Sequence, residues 1–199
     1  MANELIQMGV KKENVLVYHL ASNPEFFTPK EKREGNTIGF CSAYYERKNP
    51  ELICDLVLNM PDYNFLLVGK DWDKYDKFDK MLNSPNFRYV DNAEYEDYPS
   101  LYKQMDVFCS PSFLEGGPVP LLEAMLSNLV PVASDTGFCP DIIRHGDNGF
   151  LFDPYNDSLE TVMDSIRKAF LIKQNVRNDV IDFSWAKYGE KLHQVYLSL

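Results

Sequence analysis

Asp106-Val107-Phe108-Cys109-Ser110-Pro111-Ser112-Phe113-Leu114-Glu115-Gly116-Gly117-Pro118-Val119-Pro120-Leu121-Leu122-Glu123-Ala124-Met125 reads as a strand, a loop and a helix in immediate succession. Residues 106–110 form a short apolar run suited to a buried parallel strand, and Pro111 stops it from continuing as sheet. Gly116 and Gly117 give the loop backbone conformations closed to other residues and allow a ligand to come close, while Pro118 suits the first position of a helix. The amino end of that helix offers unpaired N–H groups and the positive end of the macrodipole, a natural seat for a phosphate or a sugar oxygen.

Glu123 is a lone carboxylate among Val119, Leu121, Leu122, Ala124, Met125 and Leu126. Carboxylates are almost never fully buried without a partner, so this one needs donors. Two readings stand: an anchor for a nearby backbone or arginine, or an acceptor for two neighbouring hydroxyls of a ligand.

Outward from this unit the chain repeats the pattern. Apolar runs at about 14–19, 37–42, 63–69, 86–90, 106–110, 130–134 and 149–152 alternate with helical segments at about 49–60, 73–83, 97–105, 118–128, 138–145 and 157–171. A last helix is expected at about 184–198. Alternation on this scale predicts βαβ units: an α/β, Rossmann-like three-layer sandwich with a parallel sheet and a ligand outside the carboxyl ends of its strands. Asn49-Pro50 is a good helix start, with Asn as cap and Pro at the first position, and it brings Lys48 to the same edge. The acidic cluster Asp71-Trp72-Asp73-Lys74-Tyr75-Asp76-Lys77 reads as a solvated loop leading into an amphipathic helix. His145 reads as a cap on a helix carboxyl end.

The 199 residues, 45% of them hydrophobic, suffice for one substantial core, and a single domain is expected. A formal net charge of −10 argues against a nucleic-acid partner and against adsorption to anionic lipid. No apolar run approaches the roughly 18 residues of a membrane span, and the first residues lack a signal pattern, so a cytoplasmic location is expected. Cys41, Cys54, Cys109 and Cys139 lie far apart without a Cys-x-x-Cys pair, as buried hydrophobes of a reducing compartment do. His19, His145 and His193 have no metal-ligand spacing, and no bound metal is expected.

Glu115 and Glu123, with seven residues between them and Ala124-Met125 following, resemble the Glu-x7-Glu signature of the carboxyl-terminal, donor-binding domain of retaining GT-B glycosyltransferases of family 4. Pro131-Val132-Ala133-Ser134-Asp135-Thr136-Gly137 and Asp141 to Pro154, with Gly146-Asp147-Asn148-Gly149, are similar to the family's next strand, loop, helix and following segment. Thr37 to Cys41, Arg47-Lys48-Asn49-Pro50 and Phe65 to Gly69 are similar to its earlier strands and basic pair. The resemblance runs over roughly residues 12–197 and implies one half of a GT-B fold. One position departs from the pattern: the arginine usual five residues before Lys48 is Ala43.

The resemblance implies roles residue by residue. Glu115 would lie at the transferred sugar, and Lys48 would neutralise the departing diphosphate. Arg47 would substitute for the missing arginine, since a guanidinium on a long stem binds phosphate bidentately. Glu123 would accept the ribose hydroxyls, and the amides of Gly116, Gly117 and Val119 would hold diphosphate or sugar oxygens. Tyr89, in Arg88-Tyr89-Val90, would lie near the base. Each has a bland counterpart: surface charges at a helix start for Lys48 and Arg47, and a core or rim tyrosine for Tyr89.

The expected activity is transfer of a sugar from a nucleotide-diphospho-sugar, without metal or other cofactor. A GT-B enzyme needs two such domains, so the expected partner is an amino-terminal acceptor-binding domain, in the same or another chain, without which the domain would be inactive. Residues 1–36 would be the interdomain lead-in with a first strand, and 184–198 the closing helix. The competing expectation, favoured by Ala43, is a non-catalytic nucleotide-sugar-binding or regulatory module of the same fold.

Overall fold

The computed structural model describes residues 2–30 and 35–198. Residues 1 and 31–34, part of the expected lead-in, and residue 199 lie outside the described residues. The strands are β1 (Thr37–Cys41), β2 (Asn64–Gly69), β3 (Phe87–Asp91), β4 (Val107–Ser110), β5 (Val130–Ser134) and β6 (Phe150–Phe152). The helices are α1 (Ala2–Gln7), α2 (Pro50–Asn59), α3 (Phe78–Leu82), α4 (Tyr98–Tyr102), α5 (Val119–Leu126), α6 (Cys139–Ile142), α7 (Leu159–Ala169) and α8 (Trp185–Ser198).

The strands form one parallel sheet in the order β3-β2-β1-β4-β5-β6. β2 and β5 are buried almost throughout, as strands covered on both faces must be. Crossovers carry the chain one way from β1 through β3 and the other way from β4 through β6. The loops after β1 and β4 therefore diverge, and the crevice between them lies outside the strands' carboxyl ends, at the switch point where ligands bind in such sheets. This is the α/β Rossmann-like sandwich expected, with α5 packed on β4 and β5 and with α7, on β4, β5 and β6, reaching α2.

Several expectations change. Residues 14–19 are not a strand: Leu16 and Val17 are exposed and the segment has no ladder partner, so its apolar run never receives the backbone hydrogen bonds a strand requires. It runs instead beside α8, where Tyr18 donates to the Lys191 carbonyl (3.2 Å) and Ser22 bridges Ser184. Trp72 and Tyr75 are buried rather than parts of a solvated loop, and the Trp72 indole donates to the Ser42 carbonyl (2.8 Å). The helices expected at 73–83, 97–105 and 138–145 shrink to α3, α4 and α6, the first two preceded by short 3-10 turns at Trp72–Lys74 and Tyr95–Asp97. His145 caps no helix: α6 ends at Ile142, and Leu151 N–H donates to His145 Nδ1 (3.2 Å) across the turn leading into β6.

One buried and one half-buried charge fasten the segment before the sheet. Asp106, at the foot of β4, accepts from Lys30 (2.5 Å) and from the backbone N–H of Gly35 (3.2 Å) and Thr37 (3.0 Å). Arg177 donates to the carbonyls of Pro24 (2.5 Å), Phe27 (2.5 Å) and Leu126. Leu126 ends α5, so the guanidinium also meets the negative end of that helix. Arg177→Met is expected to lower unfolding free energy by about 2 kcal/mol, because three carbonyls lose a shared charged donor. Urea denaturation measures it, and a loss below half that value would contradict this role.

Candidate functional site

The loop after β4 is held from several sides. Ser134 Oγ donates to the Ser112 carbonyl (2.6 Å), and Phe113 N–H donates to the Arg47 carbonyl (2.8 Å). Gly137 has φ +58°, and a Cβ there would come within 2.7 Å of the Gly116 carbonyl and 2.9 Å of that of Glu115. Glycine is what lets the 135–138 turn lie against the loop. Gly116 and Gly117 themselves do not take positive φ, which corrects the expectation of special conformations there. Gly117 serves close packing, its missing Cβ lying 2.8 Å from the Phe138 ring, and the space about Gly116 is open. Pro118 precedes α5 as its cap instead of opening it, and Pro120 takes the first turn.

This loop and the turn at Glu46–Lys48 bring three of the expected residues together. Lys48 Nζ lies 2.5 Å from Glu115 Oε1, and Arg47 Nη1 lies 3.3 Å from Glu115 Oε2 and 3.1 Å from the Leu114 carbonyl. The Glu115 and Lys48 side chains are mostly shielded, at 8% and 16% exposed, whereas Arg47 is 46% exposed and lies 5.5 Å over the Tyr45 ring. Asn49, in the left-handed region at φ 57°, ends the turn and caps α2 by accepting from Leu52 N–H (3.3 Å).

Glu123 lies apart from this trio, on the wall of a cleft of about 400 Å³. Val119 and Pro120 line the same wall; Ser42, Ala43, Gly69, Lys70, Tyr95 and Tyr98 are among the residues opposite. Glu123 is 7% exposed, and its Oε2 accepts from Tyr102 Oη (2.9 Å). Burial pushes its carboxyl up to about 7, and the Tyr102 hydroxyl pulls in the other direction. Half-buried Cys41 faces the same cleft with its thiol pushed up to about 12 by desolvation, so it is not a thiolate nucleophile.

Tyr89 stands elsewhere. On edge strand β3, it donates to the Gly69 carbonyl (3.0 Å) or to Asp91 (2.9 Å), and its ring packs edge-on against Phe78. The cleft wall on that side is formed by Asn92, Ala93, Tyr95 and Tyr98, further along the chain. Arg47 faces Glu115 and does not line the cleft beside Ala43.

Sequence reasoning missed Tyr102, Tyr95, Tyr98 and Trp72. The spacing Tyr95, Tyr98, Tyr102 is helical and would have put three rings on one face, the available signal. Trp72 supports the cleft through Ser42.

The chain matches the family model described as Glycosyl transferases group 1 over residues 22–183, and it belongs to that family of glycosyltransferases. Its relatives include a D-inositol 3-phosphate glycosyltransferase of Corynebacterium diphtheriae, 24% identical over 98% of this chain and 53% of the relative. Among solved structures it is similar to the apo form of the lipopolysaccharide outer core galactosyltransferase WaaB, with TM-score 0.80 and 17% identity over 99% of this chain and 59% of that one. It is also similar to Anabaena Alr3699/HepE in complex with UDP-glucose, with TM-score 0.78 and 19% identity over 100% of this chain and 61% of that one. The chain thus spans about half the length of this curated relative, at 53%. Its α/β fold is that of GT-B glycosyltransferases. Among the described residues no helix is long and apolar enough to cross a membrane.

Proposed function

We propose that the chain is the donor-binding half of a retaining glycosyltransferase: it binds a nucleoside-diphospho-sugar, and transfer requires an amino-terminal, acceptor-binding domain. The observation that carries this is the pairing of Glu115 with Lys48 beside a cleft whose wall holds a second, buried carboxylate, Glu123.

The chemistry needs both charges. Cleavage of the sugar–phosphate bond develops positive charge on the sugar ring and negative charge on the departing diphosphate. A carboxylate and an ammonium held 2.5 Å apart meet the two ends of that separation. An incoming diphosphate competes with Glu115 for Lys48, and the shielded setting makes the exchange electrostatically strong. The Val119 amide at the start of α5 and those of Gly116 and Gly117 add donors for phosphate and sugar oxygens, whereas Pro120 has no N–H and Leu121 N–H is taken by the Pro118 carbonyl. Glu123 accepts the ribose hydroxyls in the cleft. None of these steps calls on a metal or cofactor. UDP-glucose in the similar Anabaena structure supports a nucleotide-sugar as the ligand class. Ala43, which leaves the expected arginine position without a charge, favours a second reading in which the module binds donor without catalysis.

Calorimetric titration with UDP, GDP and ADP tests the donor site without an acceptor. One nucleoside diphosphate is expected to bind saturably, with affinity reduced at least tenfold in Lys48→Ala and in Glu123→Ala, the loss of about one charged hydrogen bond each. Absence of binding by all three at millimolar concentration would reject the proposal.

A further inference from the structure

We infer that Tyr102 is a positioning residue for Glu123, holding one carboxylate oxygen so that the other is presented to the ligand's hydroxyls; this rests on the donor-site reading above. Tyr102 is 1% exposed, and its ring is fixed by Phe27 (5.6 Å between centroids), Phe108 (5.9 Å) and Tyr98 (6.3 Å). A carboxylate's last torsion is broad and roughly two-fold, so a buried glutamate without a tether turns freely between orientations. The Tyr102 hydroxyl supplies the tether at 2.9 Å. It carries one proton and, beside the Cys41 thiol, faces two oxygen acceptors, Glu123 Oε2 and the Pro120 carbonyl at 3.3 Å; the carboxylate oxygen, the strongest acceptor of the three, takes it. Both acceptors belong to the first turns of α5, so one hydroxyl from α4 fixes the carboxylate against the helix whose amino end faces the crevice.

The same contact sets when the carboxylate is charged. Cys41, Tyr95, Tyr98 and Tyr102 face Glu123 from the elements packed around it, and Lys70 lines the same cleft. The tyrosines and the thiol are neutral near pH 7, each raised by burial. Tyr102 is thus the group that favours the anion, against the desolvation that opposes it. Without the hydroxyl only desolvation remains, and the carboxyl titrates higher. Ribose hydroxyls donating to Glu123 also favour the anion, so nucleotide affinity rises with pH through the carboxyl's titration.

The test is calorimetric titration of the chain and its Tyr102→Phe and Glu123→Gln variants with UDP, GDP and ADP between pH 5.5 and 8.5. Inorganic pyrophosphate, which lacks the ribose, is the parallel probe. For the nucleotide bound best, affinity of the unsubstituted chain is expected to rise with a midpoint near pH 7. In Tyr102→Phe the midpoint moves up by about one pH unit and affinity at pH 7 falls about fivefold, while pyrophosphate affinity is unchanged. In Glu123→Gln the rise near pH 7 is lost, and only that from the nucleotide's own terminal phosphate, which titrates at about pH 6 and is shared by all three proteins, remains. An unchanged midpoint in Tyr102→Phe, or an equal loss of nucleotide and pyrophosphate binding, would overturn the positioning role and leave the donor site standing. No nucleotide binding by the unsubstituted chain would overturn the donor-site reading, and the inference with it.

Discussion

Gly69→Ala is expected to destabilise the protein by roughly 3 kcal/mol or more and to abolish nucleotide binding. Gly69 ends β2, and a Cβ there would stand 1.8 Å from the Ser42 carbonyl oxygen and 2.5 Å from its carbon. The obstacle is backbone, which cannot turn aside as a side chain does. The Ser42 carbonyl is moreover held by the Trp72 indole, and the Ser42 N–H donates to the Val68 carbonyl (2.9 Å). Relief requires the ends of β1 and β2 to separate, and Ser42, Ala43 and Gly69 all line the cleft. Stability and binding therefore fall together, as urea denaturation and nucleotide titration of one preparation would record. A variant that unfolds at the unsubstituted midpoint would show that the strand ends yield without cost.

Glu123→Gln is expected to have an effect of similar size and opposite sign on stability. Burial raises the folded carboxyl from 4.5 to about 7. Between these values the folded state holds a proton that the unfolded state has released, so unfolding free energy falls as pH rises through the window. Stability from the neutral acid is fully present below pH 4.5 and lost above about pH 7. Glutamine stays neutral and still accepts from Tyr102. At pH 8 the variant should be more stable by roughly 3 kcal/mol, and at pH 5 by little. It should nonetheless bind nucleotide more weakly, because a neutral amide is a poorer acceptor for two hydroxyls. Chemical denaturation at the two pH values measures the first effect. Equal stabilities at pH 8 would mean that Glu123 is better compensated than its single donor implies. Stability sacrificed at a binding carboxylate is the trade expected of functional sites.

Much of this was legible in the chain, and the rest was hidden for identifiable reasons. The parallel sheet followed from apolar runs alternating with helical segments, because a strand covered on both faces has no polar side to disguise it. Residues 14–19 carry the same apolar pattern yet join no strand ladder; pattern reports burial preference, whereas a strand also needs an open neighbouring edge. Trp72 was obscured by Asp71, Asp73 and Asp76, whose charges describe the solvent side of a turn and say nothing of its inward ring.

At the site, Glu115, Lys48 and Glu123 stood out as residue types in a spacing, and the structure pairs the first two. Tyr102 did not, because its partner is 21 residues away and only the packing of α4 beside α5 joins them. Gly69 was legible as a strand end but not as a contact, since the atom it accommodates belongs to another strand's carbonyl. Tyr89 drew attention as an aromatic at a strand end, where the sequence could not reveal that its hydroxyl and ring are engaged by Gly69, Asp91 and Phe78.

The central claim is that the cleft beside Glu123 receives the nucleoside while Lys48 receives the diphosphate. Crystals of the chain grown with whichever of UDP, GDP or ADP binds test it most directly. The account predicts ribose hydroxyls within about 3 Å of Glu123 and Lys48 turned from Glu115 to a phosphate oxygen. A nucleotide bound with its ribose away from Glu123, and with the Lys48–Glu115 pair intact, would contradict it.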